Sequence, residues 1–253
     1  MHRQVTHDRD AATRLARERD PATVPGYAKA DAALVAISSR QAELHPELLF
    51  GGVIHHGIDP AHYPFGEGGS HAAFLGRFAP EKGTHHAIDA AVRAGVPLHL
   101  GGAPHEVARR YWEDEVQPRL SRFAAGARHL GELAHPGKLA LLRSACSLLM
   151  PIEWEEPFGL VMIEAMMVGT PVLAFPRGSA PEVVEDGLTG YLVADVDEMA
   201  QRLRALGGFD RRACRARALE RFSYLRMTRD HLALYRRLAR RVGHVEERHA
   251  EHA

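Results

Sequence analysis

From about residue 70 onward, short apolar runs alternate with segments in which apolar residues return every three or four positions. The runs are HAAFLG (71–76), VPLHL (96–100), ARHLG (127–131), SLLMP (147–151), PVLAF (171–175) and GYLV (190–193). Their length suits buried strands. Between them, Thr84 is placed to N-cap a helix whose Ala87, Ile88, Ala91 and Val92 share a face, and Gly95 to end it. Pro104 opens a second helix carrying Val107 and Tyr111, and Pro136 a third with Leu139, Leu142 and Ala145. A fourth runs from Gly159 to Val168 and is stopped by Gly169. This alternation predicts βαβ units with helices on both faces of a parallel sheet. Six strands make one Rossmann-like, doubly wound α/β domain.

The two ends read differently. Residues 195–206, 210–220 and 223–241 are Arg-rich amphipathic stretches, extra helices after the sheet. Leu225, Leu232, Tyr235 and Leu238 form the expected buried stripe of the last one. Residues 242–253 read as a polar, frayed tail. The first 70 residues hold a strand-like LVAIS (34–38), a helix from Ser39 to about His45, a strand around GVIHH (52–56) and the turn GIDP. A second complete nucleotide-fold domain needs about 100–150 residues, and there is no room for one. The expected units are therefore 1–69, 70–241 and 242–253.

Composition narrows the class. Hydrophobic residues are 45% and charged residues 25%, as in soluble globular proteins. The formal net charge of +0 gives no argument for nucleic acid or an anionic membrane as partner. No run approaches the roughly 18–20 apolar residues of a membrane span, and the polar start of the chain is no signal peptide, so a cytoplasmic protein is expected. Cys146 and Cys214, the two cysteines, are read as reduced and structural. Lys29, Lys82 and Lys138 are the only lysines, so a lysine kept against this Arg-rich background is a candidate for a specific need. The seventeen histidines include the adjacent pairs His55/His56 and His85/His86, whose side chains are expected to point apart. No zinc-site spacing of Cys and His occurs, and no metal site is expected.

Three segments carry candidate chemistry. The densest is PIEWEEPFGLVMIEAMMVGTPV (151–172), which leaves a strand at the sheet's carboxyl edge and enters a helix near Phe158–Gly159. Unpaired N–H groups and the positive dipole end there favour a phosphate, and Gly159 lets the backbone approach closely. Glu156 lies just before the helix and Glu164 inside it, and each carboxylate can accept two hydrogen bonds from a diol of a ribose or hexose. Acidic residues at helix starts also serve simply as caps. In FLGRFAPEKG (74–83), Arg77 and Lys82 follow a strand and can neutralise a diphosphate; a solvated turn with ordinary charges is the plainer reading. In LGELAHPGK (130–138), the loop after a strand can touch a base through backbone groups.

These segments, with VAIS, HHGIDP and GSAPEVVEDGLTGYLV (178–193), resemble in order and spacing the C-terminal domain of family 4 glycosyltransferases. That family has the GT-B fold of two facing Rossmann-like domains, and the likeness covers about residues 30–240. The resemblance implies a retaining, metal-independent transfer of a hexose from a nucleoside-diphosphate sugar, UDP-hexose by family frequency, with no further cofactor. It implies that Arg77 and Lys82 bind the diphosphate and that Glu156 binds hydroxyls of the transferred sugar. Backbone amides at Phe158, Gly159 and Leu160 would approach sugar and phosphate. Glu164 would hold the ribose, and Gly131, Glu132 and Leu133 would lie near the base. Glu156, Arg77 and Lys82 are the catalytic candidates. Relatives also carry an N-terminal, acceptor-side domain, of which residues 1–60 resemble only the last strand and helix; a helix like 223–241 packs back on that domain in relatives, which would leave Leu232 and Tyr235 facing solvent or a partner. A truncated gene start, a separately encoded N-terminal chain, a homo-oligomer, or a non-catalytic nucleotide-sugar-binding or interaction module would each accommodate that.

Overall fold

The computed structural model describes residues 34–104 and 106–250. Sequence readings on 1–33, among them the polar start and Lys29, and on 251–253 lie outside the described residues. The chain opens with β1 (Leu34–Ala36), α1 (Ser39–Leu44) and β2 (Phe50–Val53). β1 and β2 pair in parallel as a small sheet of their own, and Ser38 caps α1 by accepting from the Gln41 N–H.

The main sheet contains β3 (His71–Leu75), β4 (Leu98–Gly101), β5 (Ala127–His129), β6 (Ala145–Met150), β7 (Val172–Ala174) and β8 (Gly190–Leu192). Its order is β5-β4-β3-β6-β7-β8 and every pairing is parallel. The chain thus winds outward in both directions from β3 and β6, which makes the boundary between those two strands a topological switch point. Helices cover both faces, so successive residues of a strand enter different cores. Ala73, Leu148, Met150 and Val172 join one apolar cluster, while Ala72, Phe74, Leu149 and Leu173 join the other. That is why the strands read as unbroken apolar runs. Burying one such Leu or Phe is worth about 1.5–3 kcal/mol.

The covering helices are α2 (Thr84–Ala94), α3 (106–122), α4 (His135–Ser144), α5 (Leu160–Met167), α6 (Ala180–Val183), α7 (Val196–Arg204), α8 (Arg211–Phe222) and α9 (Tyr224–Ala250). Gly95 ends α2 in the left-handed region, and Gly169, just past α5, is left-handed too. Both were legible as stop signals.

Several local expectations are corrected. Thr84 does not cap α2: the cap is Gly83 at φ 66°, which closes a tight turn over Pro80–Lys82. A Cβ on Gly83 would lie 1.9 Å from the Pro151 carbonyl oxygen, so only glycine lets this turn pack against the end of β6. Pro104 does not open α3 but bridges to Phe78, and Val107 is exposed while Tyr111 is buried. Ala145 begins β6 rather than ending α4. On α9 the stripe expected from periodicity is not buried within this chain: Leu225 is exposed, Leu232 and Tyr235 are exposed as the resemblance implied, and Leu234 is buried. The helix packs on β2, α8 and the 55–58 segment, and a periodic stripe does not identify which of its residues do so. The expected tail boundary at 242 is crossed by α9, which continues to Ala250 with no proline to interrupt it.

The two cysteines are free, and Cys214 is fully buried against the α5–α8 core. Burial pushes its thiol up to about 12, so it packs as an apolar group. Among the described residues no helix is long and apolar enough to cross a membrane.

Candidate functional site

The carboxyl ends of β3 and β6 each release a loop at the switch point. β3 is followed by Gly76, Arg77 and the turn Pro80–Lys82; β6 is followed by residues 151–159, which lead into α5. Gly159 caps α5 at φ 74°, and the first N–H groups of the helix have no acceptor within it. Backbone ties fix the loop: the Glu153 N–H donates to the Glu81 carbonyl at 3.0 Å, and the Ser179 N–H to the Glu156 carbonyl at 2.9 Å.

One end of the resulting cleft is narrow, about 120 Å³, and is lined by Gly76, Lys82, Ile152, Glu156, Gly159 and Leu160 among others. Here the Lys82 Nζ donates to Glu156 Oε2, and the Trp154 indole N–H donates to the same oxygen at 3.0 Å. The Lys82 ammonium also lies 4.8 Å from the centre of the Trp154 ring. Both charged side chains are largely withdrawn from water, at 18% and 13% exposure. The pair therefore interacts in a weaker dielectric than a surface pair would.

The other end is wider, about 480 Å³, and continuous with the first through Leu75, Gly76, Leu160 and Val161. It is lined by Arg77, Glu132, Leu133, Lys138 and Glu164. Glu164 Oε1 accepts from the Lys138 Nζ at 2.8 Å and from the Tyr63 hydroxyl at 3.0 Å. Burial, with the Glu164 charge second, pushes the Tyr63 phenol up to about 12.

The predicted residues thus divide between two ends. Lys82, Glu156 and Gly159 meet at the narrow end; Arg77, Glu132, Leu133 and Glu164 meet at the wide one; Leu160 borders both. Arg77 and Lys82 do not form one clamp here, because Arg77 turns toward Glu81 at 3.9 Å while Lys82 is held by Glu156. Gly131 turns the chain at φ 71°, and its carbonyl accepts from the Gly102 N–H at 2.8 Å. The Phe158 ring is core, packed against His55, His56 and Phe222. The adjacent histidines therefore converge instead of pointing apart. The same holds for His85 and His86, whose ring centres are 3.8 Å apart. The alternation expected of neighbours fails at 55/56 because both lie beyond the end of β2.

Sequence reasoning missed Lys138 and Tyr63. The scarcity of lysine was the one signal that singled out Lys138; nothing marked Tyr63. It also gave Glu182 no role. That carboxylate accepts from the Ser39 and Arg40 N–H groups, each at 2.7 Å, and lies 3.2 Å from His55 Nε2. It fastens the β1–α1–β2 unit to α6, and the Arg40–Glu155 pair at 2.8 Å fastens the same unit to the loop that carries Glu156.

Comparison with known proteins gives concordant results. The family model described as Glycosyl transferases group 1 matches residues 69–207, more than half of the chain. Glycogen synthase of Mycobacterium tuberculosis (strain H37Rv) is 36% identical over 166 residues, which is 61% of this chain and 39% of that protein. Among solved structures, AviGT4, a glycosyltransferase involved in avilamycin A biosynthesis, superposes with a TM-score of 0.69 at 25% identity, over 81% of this chain and 62% of that one. Anabaena HepE, solved in complex with UDP and glucose, shares the fold with a TM-score of 0.70 at 23% identity, over 79% of this chain and 62% of that one. The match to the glycogen synthase thus spans about two fifths of that relative's length.

Proposed function

The chain belongs to the group 1 glycosyl transferases, and from that premise we propose that it supplies the donor site for retaining, metal-independent transfer of a hexose from a nucleoside-diphosphate sugar to an acceptor. The observation that carries the reading is the bracketing of the α5 N-terminus by two lysine–glutamate pairs at the switch point, Lys82–Glu156 and Lys138–Glu164. Cations and helix N–H groups together suit a diphosphate, and a carboxylate on either side suits a diol.

In this reading the diphosphate lies over the α5 N-terminus between Arg77 and Lys82, near the Phe158, Gly159 and Leu160 amides. Lys82 has three N–H donors, so it can keep Glu156 and also meet a phosphate oxygen. Glu156, steadied by Trp154, accepts from hydroxyls of the hexose, and Glu164 accepts from the ribose diol. Glu132 and Leu133 border the base. As the glycosidic C–O bond breaks, negative charge grows on the leaving diphosphate, and the N–H groups of the helix end together with Lys82 and Arg77, the latter turned from its present partner Glu81, stabilise it. That arrangement does the work a metal ion would otherwise do. Attack comes from the face the diphosphate leaves, and the departing phosphate takes the acceptor's proton. UDP-hexose is the first donor to test, as the commonest in the family.

A second reading is donor binding without transfer, as a nucleotide-sugar-binding module. Calorimetric titration of the purified chain with UDP, ADP and GDP, then with the sugar conjugate of the best binder, tests the donor site. Saturable binding to one nucleotide, weakened at least about tenfold in Glu164→Ala, is the expected result. A folded chain that binds none of them, or a Glu164→Ala variant that binds as well as the parent, would remove the donor-site reading. Release of free nucleotide in the presence of acceptor sugars then separates transfer from binding alone.

A further inference from the structure

The first turn of α2 holds a cluster that the donor site does not use. His85 and His86 sit side by side with ring centres 3.8 Å apart, and Glu153 reaches them from the β6–α5 loop. One ring nitrogen of each histidine and one oxygen of Glu153 all lie within 4.8 Å of one another. His86 Nε2 is 3.1 Å from Glu153 Oε1. Ligands bound tetrahedrally at about 2.0–2.1 Å from a zinc ion stand about 3.3 Å apart, so this pair is already near the spacing an ion requires. His85 is oriented from behind, because its Nδ1 lies 2.8 Å from the Tyr111 hydroxyl. When Nδ1 donates to that hydroxyl, Nε2 carries the free lone pair, which is the usual arrangement of a metal-bound histidine. Two imidazoles and a carboxylate are the donor set of a borderline divalent transition ion, not of magnesium or calcium.

We propose that His85, His86 and Glu153 form a binding site for a zinc-class divalent ion, which cross-links the start of α2 to the β6–α5 loop. The ion acts as a brace and takes no part in the transfer reaction. Its value to the protein follows from what the two segments carry. The Glu153 N–H is already bonded to the Glu81 carbonyl, and Lys82 and Glu156, one and three residues further along, pair across the same gap. An ion held at Glu153 would fix the spacing of that pair before any donor arrives.

The test uses the full chain stripped of metal with a chelator. Zn²⁺ is titrated by calorimetry, Co²⁺ by the visible absorption of a four-coordinate nitrogen–oxygen site, and thermal melts are run with and without Zn²⁺. The expected result is one saturable equivalent that raises Tm, absent from both His86→Gln and Glu153→Gln. These side chains are 24% and 48% exposed, so both variants should fold, as metal-free melts will verify. Tyr111→Phe, which loses only the orienting hydroxyl, should weaken Zn²⁺ binding about 10- to 100-fold. Zn²⁺ and Co²⁺ isotherms that are unchanged in His86→Gln and Glu153→Gln would place the ion on other histidines and overturn the proposal, as would absence of a saturable equivalent in the parent. Neither result depends on whether the chain binds a nucleotide.

Discussion

Lys82–Glu156 and Lys138–Glu164 are alike in chemistry and differ in what holds them. Both members of the first pair stand on loops, in the turn Pro80–Lys82 and in the segment between β6 and α5. Both members of the second stand on helices, α4 and α5, and Tyr63 closes over them. The glutamates are equally withdrawn, at 13% and 12% exposure, so burial does not separate them. Support does. Side chains on regular elements are held more closely in place than side chains on loops. The helix pair is held by regular elements, and the loop pair is held by Trp154 and by the backbone bonds of Glu153 to Glu81 and of Ser179 to Glu156. Under the proposed function that division is apt: the nucleotide end meets one invariant group, and the sugar end meets the group that is transferred.

The largest effect should come from removing one cation from each end, Arg77 of the wide end and Lys82 of the narrow one. Arg77→Ala combined with Lys82→Ala takes away both candidate partners of the diphosphate and leaves Glu156 without its ion pair. Hydrogen bonds to charged groups are worth about 1.5–3 kcal/mol each, so nucleotide affinity should fall about hundredfold or more. Calorimetry with the best-binding nucleoside diphosphate measures this. Undiminished affinity would mean that the helix end alone binds the ligand, and the contrast between the two ends would lose its functional meaning.

A smaller and more selective effect is expected from Glu156→Ala. If the loop end reads the sugar, the variant should lose about tenfold in affinity for the nucleotide sugar, the worth of one charge-assisted hydrogen bond, while binding of the bare nucleotide changes little. Equal losses for UDP and UDP-hexose would assign Glu156 to the common part of the ligand and erase the division of labour.

How much of this was legible beforehand follows the same line. The sheet was readable because its central strands β3, β4, β6 and β7 are buried on both faces, which forces apolar runs, and because glycines mark the ends of α2 and α5. That Glu156, Lys82, Glu164 and Arg77 border one cleft was foreseeable because each lies in a compact motif beside a strand end. The part played by Lys138 and Tyr63 was not. Lys138 stands 26 positions from Glu164 and Tyr63 stands 101 positions away, and no local periodicity links partners at such separations. On α9 periodicity alone misplaced the buried line, since amphipathic spacing reports that one side is apolar and not whether this chain covers it, whereas the resemblance anticipated the exposure of Leu232 and Tyr235. His85 and His86 also defeated the rule that neighbours diverge: their ring centres are 3.8 Å apart, with partners, Tyr111 and Glu153, that lie 26 and 67 positions away and that no local pattern reveals.

The finest test of the comparison is a titration at the helix end. Tyr63 has its phenol raised from the ordinary value near 10 to about 12, by burial first and by the Glu164 charge second. A raised phenol pKa means that the fold favours the neutral form. Its contribution to stability is therefore complete below about pH 10 and is lost as pH rises through about 12. Glu164→Gln keeps the shape and a hydrogen-bond acceptor but removes the charge. The Tyr63 pKa should then fall part of the way toward 10 and no further, because its burial remains. Ultraviolet titration of tyrosinate, with Tyr63→Phe identifying the relevant step among the six tyrosines, reads the change directly. A full return to the ordinary value would show that the charge had been the main cause, or that Tyr63 had swung out of its place. In the second case the helix end would be no more rigid than the loop end.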